Sequence, residues 1–193
     1  VGLGLATPPG LSGFAGSRPS PSPVVRLFSC TVPKAQVQVR ILLDDETVDC
    51  DEAYGKALDT AAIPRPVIPV ANTNEKMVDV PLIALAWGRS GDKGNKANIG
   101  IIARRPEYLP YICAALTEDV VRARFEHFLT DASKNSVQRY LLPGSNAINF
   151  LLHDVLGGGG VASIRNDPQG KGYAQLLLSC PIAVPATLAE TLS

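Results

Sequence analysis

A chain of 193 residues, 46% hydrophobic and 19% charged, has the apolar material for one ordinary domain, or one domain and a piece of another, and no compositional signature of disorder. Eighteen basic residues balance eighteen acidic ones, which argues against a nucleic-acid binder, because such proteins carry a basic excess to neutralise phosphates. No uninterrupted apolar stretch approaches the ~20 residues that cross a bilayer, and the Gly/Pro-rich start at Val1 does not read as a secretory signal.

Val1–Pro23 is dense in Gly, Pro and Ser and reads as loop or extended chain. In the β-branched stretch that follows, Val37, Val39 and Ile41 alternate with Gln38 and Arg40, the period of a half-buried strand. One or two strands with no sheet to join point to residues 1–45 as the tail of a larger unit lying upstream or in another chain. The acidic segment Asp44–Glu52 and the Pro/Asn-rich segment Ala61–Glu75 then read as a linker, assigned to residues 46–76. The four cysteines, Cys30, Cys50, Cys113 and Cys180, are scattered without a CxxC pair. They are read as small apolar residues of a reducing, cytoplasmic protein rather than as disulfides or a zinc site.

From residue 77 to 185 the texture is that of a globular domain. Val80–Trp87 reads as one buried strand and Ala97–Ala103 as a second, with a hairpin-like connection between them. Leu109, Ile112, Cys113 and Leu116 recur at helical spacing behind Pro106, although Pro110 also suits a helix start. Thr117 is placed to cap a second helix bearing Val121, Phe125, Phe128 and Leu129. Val137–Leu142 reads as a third strand. Pro143–Gly144–Ser145 then turns into an expected third helix with Ile148, Leu151, Leu152 and Val155 on one stripe and Gly157 at its end. Val161–Arg165 reads as a short fourth strand. Gly170–Leu178 fits a helix, with Asp167 as N-cap and Pro168 in its first turn, better than a strand. Residues 186–193 are expected to fray. Strands of one sheet interspersed with amphipathic helices indicate an α+β fold, a two-layer sandwich of ferredoxin-like type with a mostly antiparallel sheet and helices on one face.

The densest polar segment is Gly88–Asn98, in which glycines would let backbone N–H groups approach an anion while Arg89, Lys93 and Lys96 add positive charge. Arg89, Ser90, Gly91, Asp92, Lys93, Gly94 and Asn98 are its candidate ligand-binding residues; the competing reading is a solvated turn. The segment is not a phosphate-binding Walker loop, because the GxxxxGK[ST] spacing is absent. Gly157–Gly160 needs a close-packed neighbour, a ligand or another backbone, or else is a flexible turn, and contributes Gly157 and Gly158. Arg165 and Lys171 flank a further polar turn and would complete an anion site with Arg89 and Lys93. No catalytic residue is assigned. His153 and Asp92 are the candidates for proton transfer, with a helix-capping role the alternative for His153. Ser90 lacks an identifiable base. No metal site is expected, since His127 and His153 lie on different elements with no carboxylate at ligand spacing.

Three separated stretches, LAWGRSGDKGNKANIGIIAR, RYLLPGSNAINFLLHDVLGGGG and ASIRNDPQGKGYAQLLL, together resemble the C-terminal domain of the acyclic terpene utilisation protein AtuA family over Leu82–Pro185. Pro8–Leu43, including PSPVVRLFSCTVPK, resembles the end of that family's larger N-terminal domain. The resemblance implies a ferredoxin-like domain, a missing N-terminal partner domain and a chain that is a fragment of a longer protein. It implies association with the catabolism of acyclic terpenes such as citronellol and geraniol, degraded as CoA thioesters. A CoA thioester enters as substrate rather than cofactor, and no cofactor is expected. No catalytic residue is carried over from the family. The partners expected are a small anionic ligand and further copies of the chain, with no membrane and no nucleic acid.

Overall fold

The computed structural model describes residues 23, 25, 28–50 and 55–192, and residues 27–65 separate from the rest as a unit of their own. Within that unit β1 (Arg40–Leu43) and β2 (Glu46–Asp49) form an antiparallel hairpin, Arg40 opposite Asp49 and Leu43 opposite Glu46. Asp44 turns the chain with a φ of 51°, a conformation that aspartate tolerates better than most residues. The expected strand therefore has a partner after all, supplied by the acidic segment read as linker. All eight strand residues are exposed, and of the half-buried face inferred from Val37, Val39 and Ile41 only Val39 is half-buried.

The second unit begins with β3 (Met77–Pro81), followed by the one-turn helix α1 (Leu82–Leu85), β4 (Ala86–Lys93) and β5 (Lys96–Ala103). Then come α2 (Leu109–Ala115), α3 (Glu118–Phe125), β6 (Val137–Leu142), β7 (Ala147–Leu152), α4 (Tyr173–Leu178), β8 (Pro181–Pro185) and α5 (Ala186–Ala189). Four strands make an antiparallel sheet in the order β4-β5-β7-β6, and β3 pairs antiparallel with β8 in a second sheet. The apolar run 80–87 is thus two strand ends separated by a helical turn. The break buries both Leu82 and Leu85, which a continuous strand would point to opposite faces.

Alternation in β5 buries Ala97, Ile99, Ile101 and Ala103 and leaves Lys96, Asn98, Gly100 and Ile102 on the other face. Ile148, Phe150 and Leu152 of β7 continue the buried face beside them. Onto it pack α3 and α4, with Val121, Phe125, Tyr173, Ala174 and Leu177 in the shared core. Arg139 of β6 joins sheet and helices, donating to the carbonyls of Cys113 (2.7 Å) and Leu116 (3.0 Å) at the end of α2. Thr117 caps α3 by accepting from the Val120 N–H at 3.3 Å.

The expected third helix is β7. Asn146 sits in the left-handed region (φ 49°, ψ 45°), reversing the chain so that residues 147–152 pair with both β5 and β6. Leu151 is apolar on the opposite face and half-buried, which completes a false helical stripe and masks the period-two pattern. Val161–Arg165 is not a strand either: the Ala162 and Ser163 N–H groups both donate to the Gly159 carbonyl (3.0 and 2.7 Å), and Ile164 is exposed. Helix α4 starts three residues later than Gly170, with Gly172 rather than Asp167 as N-cap. The Asp167 carboxylate accepts instead from the N–H groups of Lys171 (2.9 Å) and Gly172 (2.8 Å). Residues 186–189, expected to lie in a fraying terminus, form α5. Thr187 Oγ1 donates to Glu75 Oε2 at 2.8 Å, and Leu188, Ala189 and Leu192 pack against the core.

Candidate functional site

The segment Gly88–Asn98 is mostly paired strand, not loop. Lys93 lies opposite Lys96, and only Gly94 and Asn95 form the turn, with Gly94 at φ 67° in the position where tight hairpins place glycine. Pleating therefore divides the candidates between two faces. Gly88, Ser90 and Asp92 share the face of Ile101, Ile99 and Ala97, whereas Arg89, Gly91 and Lys93 share the face of Gly100, Asn98 and Lys96. β4 is an edge strand, so groups from both faces reach its rim.

There they meet Lys171 in a pocket of about 360 Å³, lined by Arg89, Ser90, Gly91, Asp92, Lys93, Asn98, Gly100 and Lys171. Three cations face one carboxylate. Lys171 Nζ stands 4.0 Å from Asp92 Oδ1, an exposed pair that contributes little to stability. Lys93 Nζ donates to the Asp92 carbonyl at 2.9 Å. The Arg89 side chain makes no hydrogen bond or ion pair among the described residues, leaving its planar donor fork available for an anion. Asn98 Nδ2 donates to Asn149 Oδ1 at 3.2 Å.

Ser90 is buried, and its Oγ is fully engaged: it donates to the Lys171 carbonyl (3.1 Å) and accepts from the Ala174 N–H (2.9 Å). It ties the edge strand to the first turn of α4, supplying the capping oxygen that Gly172 lacks. This is a positioning role, and no base touches the hydroxyl.

Gly157, Gly158 and Arg165 lie elsewhere. The glycine run wraps the β4–β5 turn: Gly158 N–H donates to Asn95 Oδ1 (2.7 Å), and Asn95 Nδ2 donates to Asp154 Oδ1 (2.9 Å). Gly159 has φ 94°, and a Cβ there would lie 3.1 Å from the Gly94 carbonyl oxygen. The close neighbour this run required is another backbone. The Arg165 guanidinium donates to the carbonyls of Val155 and, at 3.1 Å, Phe128, and stands 5.7 Å from the Phe128 ring centroid. It anchors the base of the glycine loop and does not join Arg89 and Lys93 at the pocket. Tyr173 OH donates to the same Val155 carbonyl at 3.0 Å, and burial raises its pKa, with the Arg165 guanidinium partly offsetting the shift.

His153 follows β7 rather than sitting on a helix, so the capping alternative falls away. Its Nε2 is 3.2 Å from Gln138 Oε1, in a separate pocket of about 500 Å³ with Asp131 and Asp154, apart from Asp92. Burial pushes the Cys113 and Cys180 thiols up, the wrong direction for a nucleophile; Cys30 and Cys50 are exposed and free. Among the described residues no group of three or more His, Cys, Asp and Glu is placed to hold a metal ion, and no helix is long and apolar enough to cross a membrane. Sequence reasoning missed Gly100, and expected Asn149, with Asn146, to hydrogen-bond the 88–98 segment from a helix, whereas it meets Asn98 from the neighbouring strand. Gly100 is a glycine inside an isoleucine-rich strand, a signal for close approach of a ligand or backbone. Residues 80–183 match the family model described as the AtuA ferredoxin-like domain. Neither a curated protein nor a solved structure matches the chain.

Proposed function

The chain belongs to the AtuA ferredoxin-like domain family, and on that premise we propose that it acts in acyclic terpene catabolism by holding the anionic group of an acyl-CoA or carboxylate intermediate at the rim of β4. The observation that carries the reading is the gathering of Arg89, Lys93 and Lys171 around one open pocket, with the Arg89 guanidinium free of any partner among the described residues. Three cations set against the single carboxylate of Asp92 leave the site net positive and attractive to an anion, and a planar fork beside two ammonium groups suits a carboxylate or phosphate. The pocket's other contacts, Asn98 and the backbone at Gly91, supply neutral polar groups. Titrating CoA thioesters and small dicarboxylates into the full chain tests this. Binding weakened at least about tenfold by combined Arg89→Ala and Lys93→Ala substitution supports it; unchanged affinity removes the pocket from the account.

A second reading, an interaction module packing on an N-terminal AtuA domain or on further copies, draws support from the hairpin β1–β2. Ile41, Leu42, Leu43 and Val48 are 52%, 77%, 66% and 51% exposed, and an isolated two-stranded hairpin is marginal in water. Mass measurement with and without an N-terminal partner domain distinguishes the readings: a tight complex that binds no anion favours the second.

A further inference from the structure

The strand pairings order the open face of the four-stranded sheet into rows. Trp87 lies beside Ile102, Ile102 beside Ala147, and Ala147 beside Leu142, so one apolar row crosses all four strands. Trp87, Ile102 and Leu142 are 54%, 47% and 45% exposed. Arg104 stands over the Trp87 ring at 4.7 Å, holding one side of the indole. The next row is Arg89, Gly100, Asn149 and Tyr140; the one beyond it begins with Gly91 and Asn98. Arg89 thus stands in the row next to the apolar one, Arg104 borders the apolar row on its far side, and Gly100 leaves the floor beside Arg89 without a side chain.

Gly100 is not demanded by the fold. A Cβ there would meet the Arg89 carbonyl oxygen at 3.8 Å and Asn149 Oδ1 at 3.9 Å, ordinary contact distances, and its φ is not in the left-handed region. A mid-strand glycine weakens a strand, so the open floor left by the missing side chain is the feature to explain. We infer that this groove takes a free carboxylate bearing a medium-length aliphatic chain, its head group at Arg89 and Lys171 and its chain laid over Gly100 onto Trp87, Ile102 and Leu142. The inference rests on the anion reading and narrows it from acyl-CoA or carboxylate to the carboxylate. In a carboxylate the anionic and apolar parts adjoin, as they do on this face; in a CoA thioester the phosphates are separated from the acyl chain by a long polar arm. The head group goes to Arg89, whose fork has no partner among the described residues, because Arg104 at the other side is stacked on Trp87 and donates to the Ile83 carbonyl at 3.1 Å. From Gly91 to Trp87 is four residues of extended strand, roughly 14 Å. At about 1.3 Å of reach per carbon, from a ~1.5 Å C–C bond zigzag, that accommodates about ten carbons.

The test is calorimetric titration of the full chain with straight-chain carboxylates of about four to about fourteen carbons and with the CoA thioesters of the same acids. The dissociation constant of the carboxylates is expected to fall about two-fold per methylene, half the logarithmic gain of a fully buried one, and to level off near ten carbons. The thioesters are expected to show no such trend. Ile102→Ser and Trp87→Ala should flatten the chain-length dependence while leaving the shortest acid's binding unchanged. Gly100→Val fills the floor beside Arg89 and should flatten the chain-length dependence too, whatever it does to the shortest acid, and it decides the matter if Trp87→Ala fails to fold. Arg89→Ala should weaken every length by a similar factor. Carboxylate binding that ignores chain length, or a chain-length trend that survives Gly100→Val and Ile102→Ser, overturns the inference and leaves the anion reading standing. Absence of binding by every acid and thioester removes both. A dimer lost on Ile102→Ser, in a chain that binds no carboxylate, would assign the face to a second copy and overturn the inference as well.

Discussion

At Gly159 the backbone φ is 94° and a Cβ would lie 3.1 Å from the Gly94 carbonyl oxygen; at Gly100 the nearest atoms would be 3.8 and 3.9 Å away, on a regular strand. The first glycine lets the 157–160 loop close over the β4–β5 turn, backbone against backbone. The second leaves the groove beside Arg89 without a side chain. In sequence Gly159 sits in a run of four glycines and Gly100 in an isoleucine-rich strand just past the polar segment 88–98, and the run looks the better suited to a ligand. The difference teaches that glycine density marks close approach and does not say of what. What separates the cases is whether a neighbour already occupies the space.

Substitutions can break that comparison, and the largest effect belongs to the closed loop. Gly159→Val forces a β-branched residue into positive φ and against backbone, and should cost about 3 kcal/mol or more, lowering Tm by roughly 10 °C or more in thermal unfolding. Next comes Arg165→Met, which strips the donors from the Val155 and Phe128 carbonyls and should cost about 2–3 kcal/mol in denaturant melts. Ser90→Ala removes both bonds between β4 and α4 and should cost about 1–2 kcal/mol. An anion affinity unchanged in that variant would separate its positioning role from binding.

A pH series sharpens the same contrast. The pKa of Tyr173 is raised from its ordinary 10.0 by burial, so the folded state holds the proton more tightly than the unfolded chain. Its contribution is therefore complete below pH 10 and is lost as pH climbs past that value. Tm measured from neutral to strongly alkaline pH should fall in that window, less steeply in Tyr173→Phe; equal slopes would remove Tyr173 from the explanation. The smallest stability change is expected at the open glycine: Gly100→Ala should move stability by no more than about 0.5 kcal/mol. A loss as large as that at position 159 would mean the floor serves packing after all.

How far the sequence was legible follows from the same physics. The Ala97–Ala103 strand was readable because its apolar residues alternate with Asn98 and Gly100. Helices α2 and α3 were readable because Thr117 and the apolar spacing lie within a turn of one another. The β7 segment was not readable. Leu151 gave it a helical stripe, and only pairing with strands on both sides makes residues 147–152 extended. The cations of 88–98 were visible as a cluster, but their division between two faces was not, because it depends on the register of β4 against β5.

Composition and local spacing, then, settled the mixed class of the chain, most of its elements and the stretch where charge and glycine concentrate. Tertiary structure decided that Lys171 joins Arg89 and Lys93 while Arg165 turns inward to the Val155 and Phe128 carbonyls, and that one glycine run is filled by backbone while Gly100 stays open. Spacing along a chain determines which residues share a face. Which faces meet, and which remain uncovered, is decided by strand pairings and packing between residues dozens of positions apart, where no local preference acts.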